Sequence, residues 1–486
     1  MTRFKTTPFD HQLQEIESHA RVSGRAVFWE QGTGKSKLTI DTAAELRRAG
    51  EIDGVLILAP GGVHLNWLIN EIPAHLPEEL AKQVHSFGYR TNRANTKWHQ
   101  KAVLSLLNNR SAFAWLAMTY DGIMTDKGRL AAWNFLKKRG GRVLYVLDES
   151  GSVKSAVSKR TQRVVASGRY AKYRRILDGT PVSNGPFDVY KPVQFVDPTF
   201  WKRKGVGTYA EFKVMFGVWK VQSNSEGSEY PVCVAYKNLD LLYEWLDEIS
   251  TRVLKSEVLD LPPKLYSKRY FEMTPKQSRL YATIRDEFEA ELNGQTVTAE
   301  LPIVRLLRLH QITSGYVPTE ETEDEEDPHV LIDTKNPRLD LLMETLEPIT
   351  HGVIIWARFR KDIDLILEKL GKAAVRYDGH VSDDDRMAAV TAFQQGKVQY
   401  FVGNPAAGGT GITLTAANTV VYYNNSFKLR DRLQSEDRPH RIGQEHPVQY
   451  IDLLAENTVD EHILRNLRQK MNVSNQVLGD EVKEWI

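Results

Sequence analysis

Three short stretches of the sequence combine residue types that can act on a phosphate group. EQGTGKS (30–36) sets glycines before a lysine and a serine, DE (148–149) ends an apolar run with two carboxylates, and QSEDRPHRIGQ (434–444) carries spaced arginines. Glycine turns followed by a lysine hold phosphates, carboxylates hold metal ions or accept protons, and guanidiniums neutralise negative charge. Together these residues predict nucleotide hydrolysis.

The segment around Lys35 predicts a strand, a glycine turn and a helix, an arrangement that points backbone N–H groups and a helix N-terminus at an anion. We expect Lys35 to reach the β- and γ-phosphates and the Ser36 hydroxyl to hold Mg²⁺. Because Trp29 takes the place of the first glycine of the general phosphate-loop pattern, a plain glycine turn before a helix is the alternative. The predicted nucleotide-binding residues of this segment are Gly32, Thr33, Gly34, Lys35 and Ser36.

The apolar run RVLYVLD (142–148) predicts a strand that ends at Asp148 and Glu149. In an open α/β sheet, ligands bind at the carboxyl ends of the strands. We therefore expect Asp148 to bind Mg²⁺ and Glu149 to orient and deprotonate the attacking water. A solvated acidic strand end is the alternative.

Gln434, Arg438 and Arg441 are spaced at i, i+4 and i+7, so one helix would present all three on one face, although Pro439 can bend or end it. Two guanidiniums aimed at one place suit the negative charge of a transferring phosphoryl group. An exposed basic helix face is the alternative. A site that needs both these arginines and the two earlier segments would hydrolyse nucleotide only when two lobes of the protein, one carrying the earlier segments and one the arginines, close on it.

Two series of short apolar runs, separated by polar helix-like segments, predict two α/β lobes with parallel sheets. Between them, the chain from about residue 200 to 335 is rich in aromatic and charged residues with helical periodicity, and the acidic segment 319–328 predicts a solvated loop. The predicted domains are lobe 1 at 1–199, a helical insertion or linker at 200–262, and lobe 2 at 263–486 with a helical insertion at about 275–335.

Composition limits the class of protein. The 486 residues carry 64 basic and 62 acidic side chains, so a polyanion must be held by a local basic groove. The single cysteine, Cys233, excludes a disulfide framework and a multi-cysteine zinc site. The sequence has no signal peptide and no apolar run long enough to span a membrane, which predicts a soluble intracellular protein.

The order of these and other motifs resembles the SWI/SNF-like branch of helicase superfamily 2. The ending RIGQ and the segment RVLKSEVLDLPPK (252–264) favour this branch over RNA-type helicases. The matching segments, in family order, are FDHQ (9–12), EQGTGKS (30–36), LILAPGGVHLNW (56–67), MTYD (118–121), DESGSVKS (148–155), GTPVSN (179–184), HQITSG (310–315), IIWARF (354–359), RYDGH (376–380), AAGGTGITLT (406–415) and QSEDRPHRIGQ (434–444).

The resemblance implies two RecA-like parallel-sheet lobes with a helical insertion between them, and ATP with Mg²⁺ as cofactors. It implies that Gln12 reads adenine. The implied catalytic residues are Asp148, Glu149, Gln434, Arg438 and Arg441, and the implied DNA path contains Thr119, Gly408, Gly409 and Thr410. The chain departs from the family pattern where Asp178 replaces a serine or threonine, Thr413 replaces an asparagine and Asn404-Pro405 replaces Ser-Thr. In the family these positions link the ATP site to the DNA path, so the departures concern how ATP hydrolysis is coupled to DNA.

The implied function is an ATP-dependent DNA translocase or helicase that moves on duplex or branched DNA, with branch migration or fork regression as the favoured work. A conventional strand-separating helicase, an RNA-dependent ATPase and a non-catalytic nucleic-acid-binding scaffold are the alternatives. We expect a monomer without membrane contact, in the cytoplasm of a bacterium or of a phage-infected host. Trp29, Trp67 and Trp356 are expected to be core residues.

Overall fold

The computed structural model describes residues 3–223, 229–294, 300–318, 329–408, 411–481 and 485–486. Gly409 and Thr410 of the predicted DNA path and the predicted acidic loop at 319–328 lie outside the described residues. The chain divides into two compact units. The first unit comprises Met1–Phe216, Tyr236–Asp260 and Val473–Glu481, and the second comprises Gly217–Ala235, Leu261–Asn472 and Val482–Ile486. The domain limits 1–199, 200–262 and 263–486 stay predictions.

Strands and helices alternate along most of the described chain. The strands, in chain order, are β1 Gly24–Trp29, β2 Gly54–Ala59, β3 Val84–Gly88, β4 Phe113–Thr119, β5 Val143–Asp148, β6 Tyr173–Leu177, β7 Gly217–Ser223, β8 Glu229–Tyr236, β9 Ser250–Val253, β10 Lys264–Phe271, β11 Tyr316–Pro318, β12 His329–Leu331, β13 Gly352–Trp356, β14 Ala374–Tyr377, β15 Tyr400–Gly403, β16 Ala417–Tyr422 and β17 Val448–Ala455. The α-helices are α1 Asp10–His19, α2 Lys35–Arg48, α3 Val63–Asn66, α4 Ile72–His75, α5 Glu78–Ala81, α6 Lys97–Asn108, α7 Asp126–Lys138, α8 Lys159–Gly168, α9 Tyr190–Val196, α10 Phe200–Arg203, α11 Tyr209–Phe216, α12 Leu239–Asp247, α13 Lys255–Val258, α14 Pro275–Gly294, α15 Glu300–Thr313, α16 Pro337–Leu346, α17 Arg360–Leu370, α18 Asp383–Gln394, α19 Pro405–Gly408, α20 Leu429–Glu436 and α21 Val459–Leu478.

The first unit contains a seven-stranded sheet in the order β3-β4-β2-β5-β6-β1-β9. Every pairing in it is parallel. Strands β1, β2 and β5 are buried along their whole length, as expected for a parallel sheet with helices on both faces. Because the strands are parallel, the segments after β1, β4, β5 and β6 all begin at the same edge of the sheet.

The second unit contains a six-stranded sheet in the order β10-β17-β16-β13-β15-β14, and its pairings are also parallel. Apolar clusters cover both sheets, and Trp29, Trp67 and Trp356 are each at most 1% exposed within them. These findings confirm the two predicted parallel-sheet α/β lobes and the core positions of the three tryptophans. Among the described residues, no helix has the length and apolar character needed to cross a membrane.

The chain from 200 to 335 is less uniformly helical than predicted. Its expected helices are present as α12 and α14, but β9 joins the first sheet beside β1 and β10 joins the second beside β17. The four residues of β9 are too few to show a hydrophobic period, so pairing with β1 rather than local pattern decides their conformation.

Candidate active site

The turn between β1 and α2 has the backbone that a phosphate loop requires. Gly32 and Gly34 have positive φ values of 85° and 88°, a region that favours glycine. A Cβ atom on Gly34 would also lie 2.0 Å from Gln12 Nε2, so a side chain there would displace the Gln12 amide. Thr33 is fully buried and its hydroxyl donates to Glu30 O at 2.8 Å, which closes the turn.

Lys35 is the first residue of α2, and its ammonium lies at the end of β1. Lys35 Nζ donates to Trp29 O at 2.8 Å and to Glu30 O at 3.0 Å. The first turn of an α-helix has backbone N–H groups without intrahelical acceptors, and the helix dipole favours negative charge there. The loop, the helix start and the lysine therefore have the backbone donors and the positive charge that suit an anion, and Ser36 is the second helical residue.

Gln12 is fully buried on α1 beside this loop. Its Nε2 donates to Gly34 O at 3.1 Å, and its Oε1 accepts from Phe9 N at 3.0 Å. The amide thus ties the start of α1 to the phosphate loop. Its predicted contact with adenine stays a prediction.

The acidic pair, Asp148 at the end of β5 and Glu149 directly after it, faces the phosphate loop. Burial, and then the charge of Glu149, raise the pKa of the Asp148 carboxyl to about 7, whereas the positive charge of Lys35 opposes this rise. Glu149 adopts a left-handed backbone with φ 55° and ψ 58°, which is uncommon for a residue other than glycine. Gln31 Nε2 donates to Glu149 Oε1 at 3.4 Å. Two segments far apart in the sequence therefore meet at one edge of the sheet.

Asp178, at the end of β6, holds the loop that follows Glu149. Its Oδ2 accepts from Ser150 Oγ at 3.0 Å and from Gly151 N at 2.7 Å, and its Oδ1 accepts from Thr180 N at 3.0 Å. The side chain is fully buried. Asp178, which departs from the family pattern, therefore joins segment 148–151 to segment 179–181 through its carboxylate. These hydrogen bonds support the left-handed turn at Glu149.

Replacing Asp178 with alanine is expected to lower the thermal unfolding midpoint by about 5 °C, because the buried Thr180 N–H and Ser150 hydroxyl and the part-buried Gly151 N–H lose their acceptor. Differential scanning calorimetry measures this shift. Asp197→Ala is the matched control, since Asp197 Oδ1 also accepts a backbone N–H, from Thr199, but its side chain is 25% exposed. Equal shifts in the two variants would contradict a special role of Asp178.

Two further contacts hold Asp148 and were not found from the sequence. Trp67 Nε1 donates to Asp148 Oδ2 at 2.8 Å, and Tyr120 OH donates to Asp148 O at 2.8 Å. Trp67 comes after β2, which neighbours β5, and Tyr120 comes directly after β4, which neighbours β2. The signal in the sequence was therefore the position of each residue after an apolar run. Trp67 is a core residue as predicted, but its polar edge points at the acidic pair.

The segment RVLKSE (252–257) lies beside the phosphate loop, because β9 pairs with β1. This position was not predicted from the sequence. Lys255 N donates to Glu30 Oε2 at 2.7 Å, and Arg252 Nη1 donates to Phe28 O at 2.6 Å. Asp480 accepts from Arg252 Nη2 at 2.7 Å. These contacts fix the strand end from which the phosphate loop departs.

Thr119 is the last residue of β4 and is half-buried. Its hydroxyl accepts from Gly122 N at 2.9 Å and so closes a turn. A threonine hydroxyl that accepts one bond still has its own proton to donate, so the turn does not prevent a contact with a phosphate oxygen. Gly408, in the second unit, is the last residue of α19.

The predicted single helix through Gln434, Arg438 and Arg441 is wrong. Helix α20 contains Gln434 but ends at Glu436, because the chain approaches Pro439, which cannot donate a backbone hydrogen bond and disfavours helix before it. The guanidiniums nevertheless converge. Arg438 Nη1 and Arg441 Nη1 each donate to Ile412 O at 3.3 Å, and Arg441 Nη1 also donates to Thr413 Oγ1 at 3.0 Å.

The donor set of the first unit fits Mg²⁺ bound with a nucleotide. Mg²⁺ prefers oxygen ligands and usually takes one or two protein groups together with substrate phosphates. Ser36 and Asp148 supply a hydroxyl and a carboxylate of this kind, since Ser36 adjoins Lys35 on α2 and the charge of Lys35 acts on Asp148. Within the described ranges, no cluster of three or more His, Cys, Asp or Glu side chains could hold a metal ion by itself.

Two known domains match the chain. The SNF2-related domain matches residues 17–314, which is more than half of the chain, and the helicase conserved C-terminal domain matches residues 337–443. The chain belongs to the SNF2-related family. This membership confirms the resemblance to the SWI/SNF-like branch. The first match contains the phosphate loop and the acidic pair, and the second contains Arg438 and Arg441.

Relatives of this SNF2-related chain are longer proteins. It is 27% identical over 464 residues to the Danio rerio "Chromodomain-helicase-DNA-binding protein 1-like", with 93% of this chain and 41% of the relative covered. It is 25% identical over 492 residues to the Saccharomyces cerevisiae "ISWI chromatin-remodeling complex ATPase ISW2", with 96% and 40% covered. The chain thus spans less than half the length of these curated relatives. The solved "Sulfolobus solfataricus SWI2/SNF2 ATPase core in complex with dsDNA" is 21% identical, with a TM-score of 0.41 and 99% and 98% of the two chains covered.

Proposed function

We propose that this SNF2-related protein is a DNA-dependent ATPase that couples ATP hydrolysis to movement along DNA. The observation that carries the proposal is the meeting of the phosphate loop and the acidic pair, where Gln31 Nε2 donates to Glu149 Oε1 at 3.4 Å. The names of the relatives, which include an ATPase and a DNA-binding helicase protein, support ATP and DNA as ligands.

Each predicted site residue of the first unit has a distinct part in the proposed reaction. The Gly32–Gly34 turn and the N-terminus of α2 bind the phosphates, and Lys35 neutralises their charge. Glu149 orients the attacking water and accepts its proton. Mg²⁺, held by Ser36 and Asp148, would neutralise charge on the phosphate oxygens. Gln12 contacts the adenine.

We assign Arg438 and Arg441 the neutralisation of the negative charge that develops on the transferring phosphoryl group, with Gln434 assisting. Both guanidiniums converge on Ile412 O, which supports their acting at one place. Guanidiniums are always charged and their planar donors match phosphate oxygens. Thr413 contacts Arg441, so a departure from the family pattern touches a proposed catalytic residue.

We infer that the DNA is duplex or branched and that the work is branch migration or fork regression. Thr119, Gly408, Gly409 and Thr410 would contact the phosphate backbone through hydroxyl and backbone N–H groups, which bind every sequence alike. Monomeric state and a bacterial or phage-infected-host cytoplasm stay predictions.

ATP turnover with duplex DNA, single-stranded DNA and RNA of one length tests the proposal. Duplex DNA is expected to stimulate turnover at subsaturating ATP by at least about tenfold, because an ordinary coupling between two binding sites changes affinity by that factor. Greater stimulation by RNA would favour the RNA-dependent alternative. Absence of turnover with every nucleic acid would favour a non-catalytic scaffold.

A second assay separates branch migration from strand separation. The protein is given a mobile four-way junction and a tailed duplex of equal length, and product is measured with ATP and with a non-hydrolysable analogue. We expect ATP-dependent conversion of the junction and little unwinding of the tailed duplex. Equal rates on both substrates would favour the conventional helicase.

A further inference from the structure

The indole of Trp67 makes a directional contact with the acidic pair from inside the core. Its Nε1 lies 2.8 Å from Asp148 Oδ2, and the Trp67 side chain is 1% exposed. Water therefore does not compete for the indole N–H, and a hydrogen bond in the low dielectric of a protein interior is stronger than the same bond in water. The bond holds one oxygen of the carboxylate, so the carboxylate cannot rotate without breaking it.

A π-helical turn over Trp67–Glu71 accounts for the direction of the indole. Its defining bond runs from Ile72 N to Trp67 O, five residues back. In a regular α-helix, residues five apart point about 140° away from each other. Here Trp67 and Ile72 both pack in the apolar cluster on one face of the sheet. The wide turn therefore lets Trp67 reach Asp148 while Ile72 keeps its own core position.

π-helical turns are rare in proteins, and those that occur often lie at functional sites. They hold one residue more than a regular turn, so they persist where the side-chain position that they create is useful. The contact and the unusual backbone are two separate observations, and both concern Trp67.

We propose that Trp67 is a positioning residue that orients the Asp148 carboxylate for the metal–nucleotide complex. This inference rests on the proposed function, because it assumes that Asp148 binds the metal. Hydrogen-bond partners of metal ligands fix ligand orientation, and their loss weakens metal affinity by at least about tenfold.

Trp115 on β4 is a matched control for this contact. It is fully buried in the same apolar cluster as Trp67, and its Nε1 has no hydrogen-bond partner among the described residues. A change from tryptophan to phenylalanine removes the same atoms at both positions. Only at position 67 does it remove a hydrogen bond to Asp148.

The test is Mn²⁺ binding to the full chain with ADP, measured by electron paramagnetic resonance. Trp67→Phe is expected to weaken Mn²⁺ affinity about tenfold, and Trp115→Phe to leave it unchanged, while ADP affinity in the presence of EDTA stays the same in both. Incorporation of 3-benzothienylalanine at position 67 or 115 repeats the comparison. It keeps the bicyclic shape and removes only the N–H, so it remains informative if Trp67→Phe does not fold.

Mn²⁺ affinity that is unchanged by benzothienylalanine at position 67, in a protein whose unaltered form binds Mn²⁺ and ADP, would overturn the role of Trp67 and leave the proposed function standing. An equal loss at positions 67 and 115 would also overturn it, since a general packing defect would then explain both. An unaltered protein that binds no Mn²⁺–ADP would overturn both proposals.

Discussion

Replacing Glu149 with glutamine is expected to lower ATP turnover by about 10³-fold, because the amide cannot accept the proton of the attacking water. The change is nearly isosteric, so the left-handed backbone at φ 55° and the contact with Gln31 are expected to remain. Nucleotide affinity should therefore stay close to that of the unaltered protein. Steady-state turnover with duplex DNA and titration with a fluorescent ATP analogue measure the two quantities separately.

Glu211→Gln is the control for this prediction. Glu211 Oε2 accepts from Gly207 N at 2.7 Å, and a glutamine oxygen can accept the same bond. This control makes the same chemical change in the first unit, away from the strand ends, and should leave turnover unaltered. Normal turnover by Glu149→Gln would mean that another group accepts the proton, and the assignment of Glu149 would be wrong.

Replacing Lys35 with alanine is expected to weaken ATP affinity by about 10²-fold and to abolish measurable turnover. Charge-assisted hydrogen bonds are about twice as strong as neutral ones, and the ammonium is expected to make two of them with phosphate oxygens. Lys35→Arg should also be impaired, since its planar fork differs in shape and reach from a compact ammonium. Binding of the fluorescent analogue and turnover with duplex DNA measure both effects.

Lys37, two residues further along α2, is the matched control. Its Nζ donates to Thr6 O at 2.9 Å and pairs with the buried Asp41. Lys37→Ala should therefore lower thermal stability but retain ATP binding at temperatures well below unfolding. If Lys35→Ala hydrolysed ATP like the unaltered protein, the phosphate-loop assignment would be contradicted. A similar loss of affinity in both variants would indicate a general defect in α2.

Much of the architecture could be predicted from particular segments of the sequence. The runs that end at Trp29 and Asp148 are apolar except for Arg25 and Asp148, as expected of strands covered on both faces, and they become β1 and β5. Since parallel strands share one carboxyl edge, the meeting of the loop after β1 and the acidic pair at the end of β5 also followed from the pattern.

Other features depended on contacts that no local pattern encodes. The end of α20 at Glu436 separated Gln434 from the two arginines, yet packing brought both guanidiniums to Ile412 O. The insertion of β9 beside β1 brought Lys255 to Glu30, although four residues of strand have no readable period.

The sequence by itself determined the two parallel-sheet lobes, the phosphate loop and the acidic pair, because hydrophobic runs and glycine turns act over a few neighbouring residues. Only the tertiary structure decided what holds the acidic pair. The Trp67 indole donates a hydrogen bond to Asp148, and the Asp178 carboxylate accepts one from Gly151 in the loop after Glu149. Both hydrogen bonds join residues that are far apart in the sequence. Such bonds depend on strand order and on the π-helical turn at Trp67, and these follow from the packing of the whole unit rather than from any short stretch of residues.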